Sequence, residues 1–500
     1  MALSSDVVVP LAHADRFFIG GEWVEPSSNA KIDVVDSATE TLYFSVAEAQ
    51  APDMARAVAA ARQAFDEGPW PRMTHAERAE HMRALAAKLG ERADLVGEIW
   101  PRESGVLHRI AKYGVYGTTK TFEYYAGLAD SFPWEEPAQP TLGGEFGLLV
   151  REPVGVVGAI IPWNAPVGLI GYKVGPALIA GCTVILKSSP EAPGVGYLLA
   201  EAAEAAGLPP GVLNVVTADR AVSELLVTNP GVDKITFTGS TVAGRRIASL
   251  CGERIARCTL ELGGKSAAVI LDDMDIATAA GAIASAETFL SGQVCSSLTR
   301  VVVSRNRHDE MVDALAAAFA QVQVGDPFEA STGMGPLVAE RQRDRVEGYI
   351  AKGIAEGATL ATGGKRPEHL DRGWYVEPTV FGNVDNASTI AQEEIFGPVL
   401  SVIPADGEQQ MIKVANDTIY GLNASVFTND VDRARAVAGQ LRSGTVGHNA
   451  FRTDFGIAFG GFKQSGIGRE GGTEGLHPFL ETKTVILEGR PSGYASTKGS

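Results

Sequence analysis

One cysteine in the sequence stands among residues that suit a reactive thiol. Cys295 lies in the segment Ser-Gly-Gln-Val-Cys-Ser at 291–296, directly after a predicted helix. A lone cysteine is usually a buried structural residue, whereas a thiolate nucleophile needs access and a polar setting. The glycine, glutamine and serines favour a nucleophile at Cys295. Cys182, Cys251 and Cys258 lie in apolar or helical contexts and are interpreted as structural.

A carboxylate between two leucines is the second candidate. Glu261 follows an apolar run and precedes Gly263, Gly264 and Lys265. Burying a carboxylate is costly unless it is paired or has a chemical role. Burial also raises its pKa toward neutrality, as a general base requires. An ion pair with Lys265 explains the same position equally well, so the sequence leaves both interpretations open.

An asparagine at the end of a predicted apolar strand is the third candidate. Asn164 directly follows Pro162 and Trp163. An amide donor held in a cleft stabilises a developing oxyanion, and losing one such donor raises the barrier by roughly 3–4 kcal/mol. The alternative is an ordinary turn asparagine.

These candidates need a framework that positions them, and the sequence predicts one from Pro153 onward. Short apolar runs alternate there with helical stretches, which is typical of a parallel sheet covered on both faces. Such a sheet binds dinucleotides at the carboxyl ends of its strands. The predicted strands are 154–161, 183–186, 212–216 and 234–238, and the predicted helices are 165–180, 194–206, 221–228 and 242–250.

A second α/β unit is predicted from about Gly263 onward. Its predicted strands are 267–271, 300–303 and 400–402, and its predicted helices are 276–289 and 308–322. The first 130 residues are predicted to form a hairpin at 17–24 and helices at 51–65 and 75–93. The polar tail after Gly489 is expected to be mobile.

Length, composition and charge bound the class of protein. A chain of 500 residues exceeds the ~250–300 residues of a single core, so more than one domain is expected. Hydrophobic residues make up 45% and charged residues 21%, which excludes wholesale disorder. A net charge of −17 disfavours nucleic acid or an anionic membrane as the main partner. Residues 1–15 lack the basic start of a targeting segment, so we expect a cytoplasmic protein.

Three patterns resemble other kinds of site, and we interpret each of them as structural. Residues 466–471 form a Gly-x-Gly-x-x-Gly, but no apolar strand leads into it, so a tight turn is predicted. Residues 263–266 resemble the last part of a P-loop motif, but the first glycine of that motif would lie at position 259, which is not glycine. The uncharged stretch 154–172 contains prolines and is predicted to be a buried strand, loop and helix rather than a membrane span. No histidine or cysteine cluster has zinc spacing, so no metal site is expected.

Taken together, the motifs resemble the NAD(P)-dependent aldehyde dehydrogenase superfamily. The similarity runs from about Phe17 to Val485, and the 34-residue separation of Glu261 and Cys295 resembles the hydrolytic, acid-forming branch. The motifs are, in family order, Pro162-Trp163-Asn164, Lys187, Phe237-Thr238-Gly239-Ser240-Thr241, Glu261-Leu262-Gly263-Gly264-Lys265, Gly292-Gln293-Val294-Cys295, Glu393-Glu394-Ile395-Phe396-Gly397-Pro398 and Phe459-Gly460-Gly461-Phe462-Lys463-Gln464-Ser465-Gly466.

The resemblance implies a mechanism that suits these residue types. Cys295 attacks the aldehyde carbon, and the Asn164 amide and the Cys295 backbone N–H hold the oxyanion. Hydride passes to the nicotinamide, and Glu261 then activates a water that hydrolyses the thioester. Lys173 is implied as a fourth catalytic residue. Because transfer of the acyl group to coenzyme A could dispense with this base, Glu261 favours a free acid product.

The resemblance also implies NAD as the cofactor, with its pyrophosphate at the helix that follows Phe237. NAD-preferring members often carry a glutamate three residues after Lys187, which would repel a 2′-phosphate. Pro190 stands there, and the sequence shows no arginine for the phosphate, so we expect NAD to be preferred and NADP tolerated. The implied cofactor residues are Ile161, Pro162, Trp163, Lys187, Ser189, Pro190, Gly211, Phe237, Gly239, Ser240, Leu262, Glu394 and Phe396.

Small residues after Asn164 predict a wide substrate pocket. We expect aromatic or long-chain aliphatic aldehydes rather than acetaldehyde. The motifs have no extra arginine beside them that would favour an anionic semialdehyde. The implied pocket residues are Ala165, Gly168, Leu169, Tyr172, Val294, Ser296, Phe455 and Phe459.

The predicted fold class is α/β, with a Rossmann-like parallel-sheet cofactor domain, a second α/β catalytic domain and a small β oligomerisation arm. The expected cofactor domain comprises 1–134 and 154–262, and the catalytic domain 263–465. Residues 135–153 and 466–500 are assigned to the arm and a C-terminal segment. The resemblance implies that such an arm and a strand near 480–487 join subunits by edge pairing, so we expect a homodimer or homotetramer.

Two other classes of function compete with the dehydrogenase. A silent binding or structural protein on the same scaffold would have lost Cys295, Glu261 or Asn164, and all three are present. A thiol hydrolase would need a histidine partner, and the sequence nominates none of its eight.

Overall fold

The computed structural model describes residues 11–494. Residues 1–10, which make up most of the segment without a targeting signal, lie outside the described residues. Residues 495–500, the end of the polar tail that we expected to be mobile, also lie outside them.

The described chain alternates strands and helices along most of its length. Its strands are β1 Phe17–Ile19, β2 Glu22–Val24, β3 Lys31–Val35, β4 Leu42–Ala47, β5 Glu135–Ala138, β6 Phe146–Pro153, β7 Val156–Ile160, β8 Thr183–Ser188, β9 Leu213–Thr217, β10 Lys234–Thr238, β11 Arg257–Glu261, β12 Ala267–Ile270, β13 Arg300–Ser304, β14 Thr359–Thr362, β15 Thr379–Gly382, β16 Val399–Ala405, β17 Asn423–Phe427, β18 Thr445–His448, β19 Gly466–Ile467 and β20 Leu480–Leu487. Its α-helices are α1 Ala51–Asp66, α2 His75–Gly90, α3 Ala93–Ser104, α4 His108–Ser131, α5 Pro166–Ala180, α6 Gly194–Ala205, α7 Arg220–Thr228, α8 Thr241–Glu253, α9 Ile276–Thr288, α10 His308–Ala320, α11 Glu340–Ala355, α12 Thr389–Gln392, α13 Glu408–Asn416 and α14 Val431–Ala438.

An eight-stranded sheet forms the first layer structure, in the order β19-β11-β10-β7-β8-β9-β1-β2. The strands β7 to β11 are parallel, and every residue of β7, β8, β9 and β10 is buried. The chain runs from β7 outward to β9 and then returns to the other side of β7 at β10. This reversal is the topological switch point at which doubly wound sheets bind ligands.

Helices cover both faces of this sheet, as the continuous apolar strands predict. One apolar cluster combines α2, α4, α5 and α6 with the sheet, and another combines α1, α7 and α8 with it. Helix α5 has Pro166 at its first position, where a missing N–H costs nothing, and it ends at the left-handed Gly181 (φ 98°). The expected hairpin is confirmed as β1 and β2, with positive φ at Gly20 and Gly21.

A seven-stranded sheet forms the second layer structure, in the order β14-β15-β16-β13-β12-β17-β18. Its strands are parallel except for β14 at one edge. Helices α9 and α10 pack on one face, and α13 and α14 pack on the other. The expected α/β class with two parallel-sheet units is therefore confirmed.

A third, three-stranded sheet has the order β20-β6-β5 and is antiparallel. In this sheet β20 pairs with β6 of the same chain, from Leu480 opposite Pro153 to Leu487 opposite Phe146. The segment 466–500 is not all part of this arm, because β19 lies beside β11 at the edge of the eight-stranded sheet. The division into domains stays a prediction.

The uncharged stretch at 154–172 forms β7, a loop and the start of α5, as predicted. Within residues 11–494, no helix combines the length and the apolar character needed to span a bilayer.

Candidate active site

A sharp reversal of the chain presents Cys295 at the end of α9. Leu290, Ser291 and Gly292 have φ values of 50°, 57° and 70°, so three successive residues adopt the left-handed conformation. A Cβ at Gly292 would lie 2.4 Å from the carbonyl carbon of Gly397, so this position requires glycine. Cys295 itself is half-buried.

Hydrogen bonds fix this reversal on both sides. The Ser291 hydroxyl donates to the Gly335 carbonyl at 2.9 Å. The Gln293 side chain donates to the Leu290 carbonyl at 3.1 Å and accepts from the Val338 backbone N–H at 3.0 Å. The surrounding structure therefore holds the strained backbone in place, as such conformations require.

Asn164 reaches this same loop from the carboxyl end of β7. Its side-chain Nδ2 donates to the Gln293 carbonyl at 2.8 Å, across 129 residues of sequence. An ordinary turn asparagine would bond its own backbone a few residues away. The bond to Gln293 consumes one N–H of the amide and places the group two residues from Cys295.

The protonation state of Cys295 follows from its surroundings. Burial raises the pKa of the thiol, and the carboxyl groups of Glu394 and Glu261 raise it further. The backbone N–H groups of Cys295 and Ser296 act in the opposite direction. The thiol is therefore protonated at neutral pH.

Glu261 is the last residue of β11 and is 2% exposed. Among the described residues, neither of its carboxyl oxygens has a hydrogen-bond partner. Burial raises the pKa of Glu261 well above its ordinary value, and Glu470 raises it further, whereas Lys173 and Arg469 lower it. The alternative interpretation, an ion pair with Lys265, is wrong, because no such pair forms within 11–494.

Lys173, the fourth predicted catalytic residue, belongs to a buried polar group that we name the Lys173 cluster. It comprises Lys173, Glu470, Thr236 and Glu261. Lys173 forms an ion pair with Glu470 at 0% and 3% side-chain exposure, and its Nζ donates to the Thr236 hydroxyl at 3.3 Å. The cluster places a direct cation–carboxylate pair beside the unpartnered Glu261.

Sequence reasoning missed Glu470, which lies inside the Gly-x-Gly-x-x-Gly segment that we interpreted as a turn. The segment starts as β19 on the edge of β11, and a Cβ at Gly466 would lie 2.0 Å from the Leu260 carbonyl oxygen. Glu470 then exchanges two backbone hydrogen bonds with Phe459, at 2.6 and 2.8 Å. The structural interpretation was correct for the glycines, but an acidic residue among them was a signal that we did not use.

A second buried polar group, the Lys265 cluster, lies behind the Cys295 loop and comprises Lys265, Glu287 and Ser297. The Ser297 hydroxyl donates to Glu287 at 2.6 Å. Within the described chain, the Lys265 Nζ has no hydrogen-bond partner. Burial lowers the pKa of Lys265 to about 7 and raises the pKa of Glu287 to about 8.

Three aromatic rings among the predicted pocket residues form one continuous stack. The ring centroids of Tyr172 and Phe455 are 4.0 Å apart, and those of Phe455 and Phe459 are 4.3 Å apart. A Cβ at Gly168 would lie 3.8 Å from the Tyr172 ring, so Gly168 borders the stack. The stack adjoins Glu261, because a Cβ at Gly460, the next residue after Phe459, would lie 2.8 Å from Glu261 Oε1.

The other predicted pocket residues divide between the cleft and the core. Ala165 and Val294 are partly buried and pack against the same apolar cluster. Leu169 is a buried member of that cluster. Ser296 is 3% exposed, and its carbonyl accepts a hydrogen bond from Asn423 at 3.2 Å. Val294 and Ala165 are therefore better placed than Leu169 or Ser296 to contact a substrate.

The carboxyl edge of the eight-stranded sheet has the features of a dinucleotide site. Ser240 caps α8, and its hydroxyl accepts from the Ala243 N–H at 3.3 Å, so a helix of 13 residues starts at this edge. The Gly239 N–H donates to the Glu261 carbonyl at 3.0 Å, and a Cβ at Gly239 would lie 2.5 Å from the Phe237 ring. The residues present therefore fit a pyrophosphate group.

Two further groups of predicted cofactor residues lie at this edge. Lys187 is near the end of β8 at 7% exposure, and burial lowers its pKa to about 8. Ser189 and Pro190 follow it directly. Ile161 is buried after β7, and its N–H donates to the Lys187 carbonyl at 3.2 Å, which links the two groups.

Across the cleft, Trp163 and Phe396 meet edge to face, with ring centroids 5.3 Å apart. Glu394 accepts from the Gly264 N–H at 3.1 Å, and burial raises its pKa to about 7. Leu262, which follows Glu261, is buried beneath α8 and donates its N–H to the Ser465 carbonyl. Pro162 joins Ile161 to Trp163.

Sequence reasoning also missed two polar residues of α11 that hold this side of the cleft. Gln342 donates to the Phe396 carbonyl at 2.7 Å, and Arg345 donates to the Glu394 carbonyl at 2.6 Å. Their contacts are 54 and 49 residues away in sequence, so no local pattern indicates them.

One predicted cofactor residue is misplaced. Gly211 precedes β9 and therefore lies at the amino end of a strand, opposite the edge that carries the site. Its φ is 77°, and a Cβ at this position would lie 2.7 Å from the Ala60 carbonyl oxygen, which explains the glycine. Gly211 serves the turn into β9 and the packing against α1 rather than the cofactor.

The comparisons with known proteins agree with this geometry. The sequence profile of the Aldehyde dehydrogenase family matches residues 23–485. A geranial dehydrogenase of Castellaniella defragrans is 43% identical over 475 residues, which cover 95% of this chain and 99% of that protein. A betaine aldehyde dehydrogenase of Bacillus subtilis is 37% identical, with 96% and 98% covered.

Solved structures agree equally well. The crystal structure of a Mycobacterium tuberculosis aldehyde dehydrogenase complexed with NAD+ is 46% identical, covers 96% of this chain and 99% of that one, and gives a TM-score of 0.92. A mutant aldehyde dehydrogenase C from Pseudomonas syringae, complexed with NAD+ and octanal, is 38% identical, covers 96% and 98%, and gives 0.91.

A doubly wound sheet with the features of a dinucleotide site at its carboxyl edge, close to a thiol, an amide and a buried carboxyl group, defines an NAD(P)-dependent dehydrogenase. The chain belongs to the aldehyde dehydrogenase family. The resemblance stated from the motifs and the NAD(P)-dependent enzyme class are confirmed.

Proposed function

We propose that the protein oxidises medium-sized or bulky apolar aldehydes, aromatic or long-chain aliphatic, to carboxylic acids with NAD+. The observation that carries this proposal is the stack of Tyr172, Phe455 and Phe459, with Gly168 beside it. Stacked rings give an extended apolar wall, and Gly168 adds no side chain beside the Tyr172 ring. The similarity to a geranial dehydrogenase and to an enzyme bound to octanal supports the same class of substrate.

The first half of the reaction is assigned to the loop around Cys295. The thiol gives its proton to solvent water, and the sulfur bonds to the aldehyde carbon, whose carbonyl oxygen becomes the oxyanion of a thiohemiacetal. The remaining N–H of the Asn164 amide and the Cys295 backbone N–H stabilise the oxyanion. A bound NAD+ would supply the hydride acceptor, and loss of hydride from this carbon leaves a thioester to Cys295.

The second half is assigned to Glu261. Its raised pKa and, within residues 11–494, its lack of hydrogen-bond partners suit a group that removes a proton from water. The water attacks the thioester carbon, the carbon–sulfur bond breaks, and the acid leaves. The Lys173–Glu470 pair sets the field around Glu261, because Glu470 raises its pKa and Lys173 lowers it.

The residues that would hold NAD+ lie along the carboxyl edge of the sheet. The start of α8 with Gly239 and Ser240 would take the pyrophosphate, and Lys187 would take the adenosine side. Glu394 and Phe396 would border the nicotinamide side.

An aldehyde panel tests the proposal. Absorbance at 340 nm is measured with octanal, geranial, benzaldehyde, acetaldehyde and a carboxylated semialdehyde, and Cys295→Ala serves as the control. We expect the first three to have the highest kcat/KM. A higher value for acetaldehyde or the semialdehyde would refute the substrate class. NADH formation by the control would refute the mechanism, and no turnover of any aldehyde would favour a silent binding protein.

We also propose a cytoplasmic homodimer or homotetramer. The edge strands β5 and β20 of the three-stranded sheet are available for pairing, and Ile486 on β20 is 59% exposed. Light scattering after size-exclusion chromatography measures the mass directly, and a monomer would contradict the proposal.

A further inference from the structure

The segment after β8 occupies a defined place in the cofactor site. In a doubly wound sheet, β7 is the first strand and β8 is the second, and the residue that meets the adenosine ribose follows the second strand. Here that segment runs from Lys187 at the end of β8 to Glu191, four residues later. Glu191 is therefore the acidic side chain of the ribose position, one residue beyond Pro190.

An arginine from the other sheet unit meets Glu191 there. One Glu191 oxygen accepts from the Ser189 hydroxyl, and the other forms an ion pair with Arg341. Arg341 lies near the start of α11, 150 residues further along the chain. The side chains of Glu191 and Arg341 are 24% and 61% exposed, so solvent and ligands can reach the guanidinium.

The charges around Lys187 are consistent with a ribose position at Glu191 and Arg341. Lys187 is buried beneath the pair, and the carboxylates of Glu191 and Asp219 raise its pKa against the lowering effect of burial. Asp219 caps α7 at the end of the next strand, β9. The ribose position thus combines two cations, Lys187 and Arg341, with two carboxylates.

We propose that Glu191 and Arg341 together set the choice between NAD+ and NADP+. Glu191 repels a 2′-phosphate and occupies the guanidinium of Arg341, which would otherwise bind that phosphate as a planar fork. If Glu191 is replaced by an uncharged residue, the Arg341 guanidinium is free to bind the 2′-phosphate, which carries a charge of about −1.5 to −2. The expectation that no arginine serves this position was incomplete, since Arg341 arrives from a distant helix.

The competing interpretation is an ordinary surface ion pair. Such pairs contribute little to stability and would have no effect on which cofactor binds. Cofactor affinity therefore separates the two interpretations. The inference rests on the cofactor site alone and uses no aldehyde, so its failure and the failure of the proposed substrate class are distinguishable.

The test compares Glu191→Gln, Arg341→Ala and the double variant of the full chain. Isothermal titration calorimetry measures the Kd of NAD+, NADP+ and 2′-AMP for each. We expect Glu191→Gln to tighten NADP+ and 2′-AMP about tenfold or more, because the Arg341 guanidinium is then released to pair with the 2′-phosphate. The double variant loses that gain. Arg341→Ala alone weakens NADP+ and leaves NAD+ within about twofold.

Asp406→Asn is the matched control, because it neutralises the carboxylate of another exposed arginine pair, Arg305–Asp406. We expect no change in the affinity for either cofactor in this variant. Unchanged NADP+ affinity in Glu191→Gln would overturn the proposal. A gain that persists in the double variant would also overturn it, since Arg341 would then not be the phosphate ligand.

Discussion

The Lys173 cluster and the Lys265 cluster both bury a lysine with a glutamate next to the active site, but they treat charge differently. Lys173 and Glu470 form a direct ion pair, whereas Lys265 and Glu287 form none. In the second cluster, burial lowers the pKa of Lys265 to about 7 and raises that of Glu287 to about 8. Direct contact between opposite charges offsets part of the cost of burying them, whereas burial without a direct ion pair drives Lys265 and Glu287 toward neutrality.

Glu261 joins these two behaviours in one place. It lies beside the ion pair of Lys173 and Glu470, yet within residues 11–494 it has no hydrogen-bond partner of its own and its pKa is raised. The ion pair beside it therefore leaves one carboxyl group free to exchange protons. Among the buried carboxyl groups of the two clusters, Glu261 is the one with no partner for either oxygen within residues 11–494, which supports its proposed role as the base.

Glu261→Gln should show the largest effect. Loss of a general base costs roughly 10²–10⁴-fold in rate, so steady-state turnover falls by that factor. Since Glu261 is proposed to act only after hydride transfer, stopped-flow absorbance at 340 nm should still show a burst of NADH. In the parent, the rate of the hydrolytic step should rise with pH as Glu261 loses its proton at its raised pKa, and the variant should lose that dependence.

Glu287→Gln is the matched control for this experiment, because it makes the same change in the Lys265 cluster. Its turnover should remain close to that of the parent. If the burst disappears together with the turnover in Glu261→Gln, Glu261 acts before hydride transfer and the proposed division of steps is wrong.

Lys173→Met should have the largest effect on stability. It leaves the Glu470 carboxylate buried without its cation, which costs about 3–5 kcal/mol. Urea unfolding measures the loss, and Lys265→Met is the comparison, since that lysine has no ion pair to lose. The double variant Lys173→Met with Glu470→Gln should recover much of the loss. If Lys173→Met and Lys265→Met lower the free energy of unfolding equally, the proposed difference between the two clusters is wrong.

Glu287→Gln should have a smaller, pH-dependent effect on stability. The pKa of Glu287 is raised from 4.5 to about 8, so between these values the folded chain holds a proton that the unfolded chain has released. Stability therefore falls as pH rises through this window. The variant removes that slope, and its advantage over the parent should grow to about 1 kcal/mol or more near the upper end.

Lys265 should act in the opposite sense over a higher window. Its pKa is lowered from 10.5 to about 7, so there the unfolded chain holds the extra proton and stability rises with pH. The urea midpoints of Glu287→Gln, Lys265→Met and the parent over this pH range measure how stability changes with pH in each. An advantage of Glu287→Gln that does not change with pH would show that Glu287 is ionised in the folded chain.

The strands were the most predictable part of the fold. Buried parallel strands are unbroken apolar runs, so β10 was predicted at 234–238 with the bounds that it has. Strand β19 could not be predicted, because two residues have no periodicity. Gly211 was assigned to the wrong end of β9, because a glycine beside a strand does not show which end faces the ligand.

The site was predictable where one residue carries the chemistry, and it was not predictable where a contact does. Cys295, Glu261 and Asn164 each stand in a local sequence that suits their proposed role. Glu470 and Arg341 depend on partners 297 and 150 residues away, and neither has a local pattern that indicates its partner. Long-range pairs of this kind need the fold before they can be recognised.

The late position of β19, Glu470 and β20 in the sequence has a consequence for synthesis. Glu261 lies in a strand whose edge is covered by β19. Glu470, whose carboxylate pairs with Lys173, follows that lysine by 297 residues. Domains generally fold as the ribosome delivers them, from the N-terminus onward. Until Glu470 has emerged, the nascent chain carries an uncompensated lysine beneath its cofactor sheet. Cys295 is therefore synthesised before the Lys173 cluster can be completed.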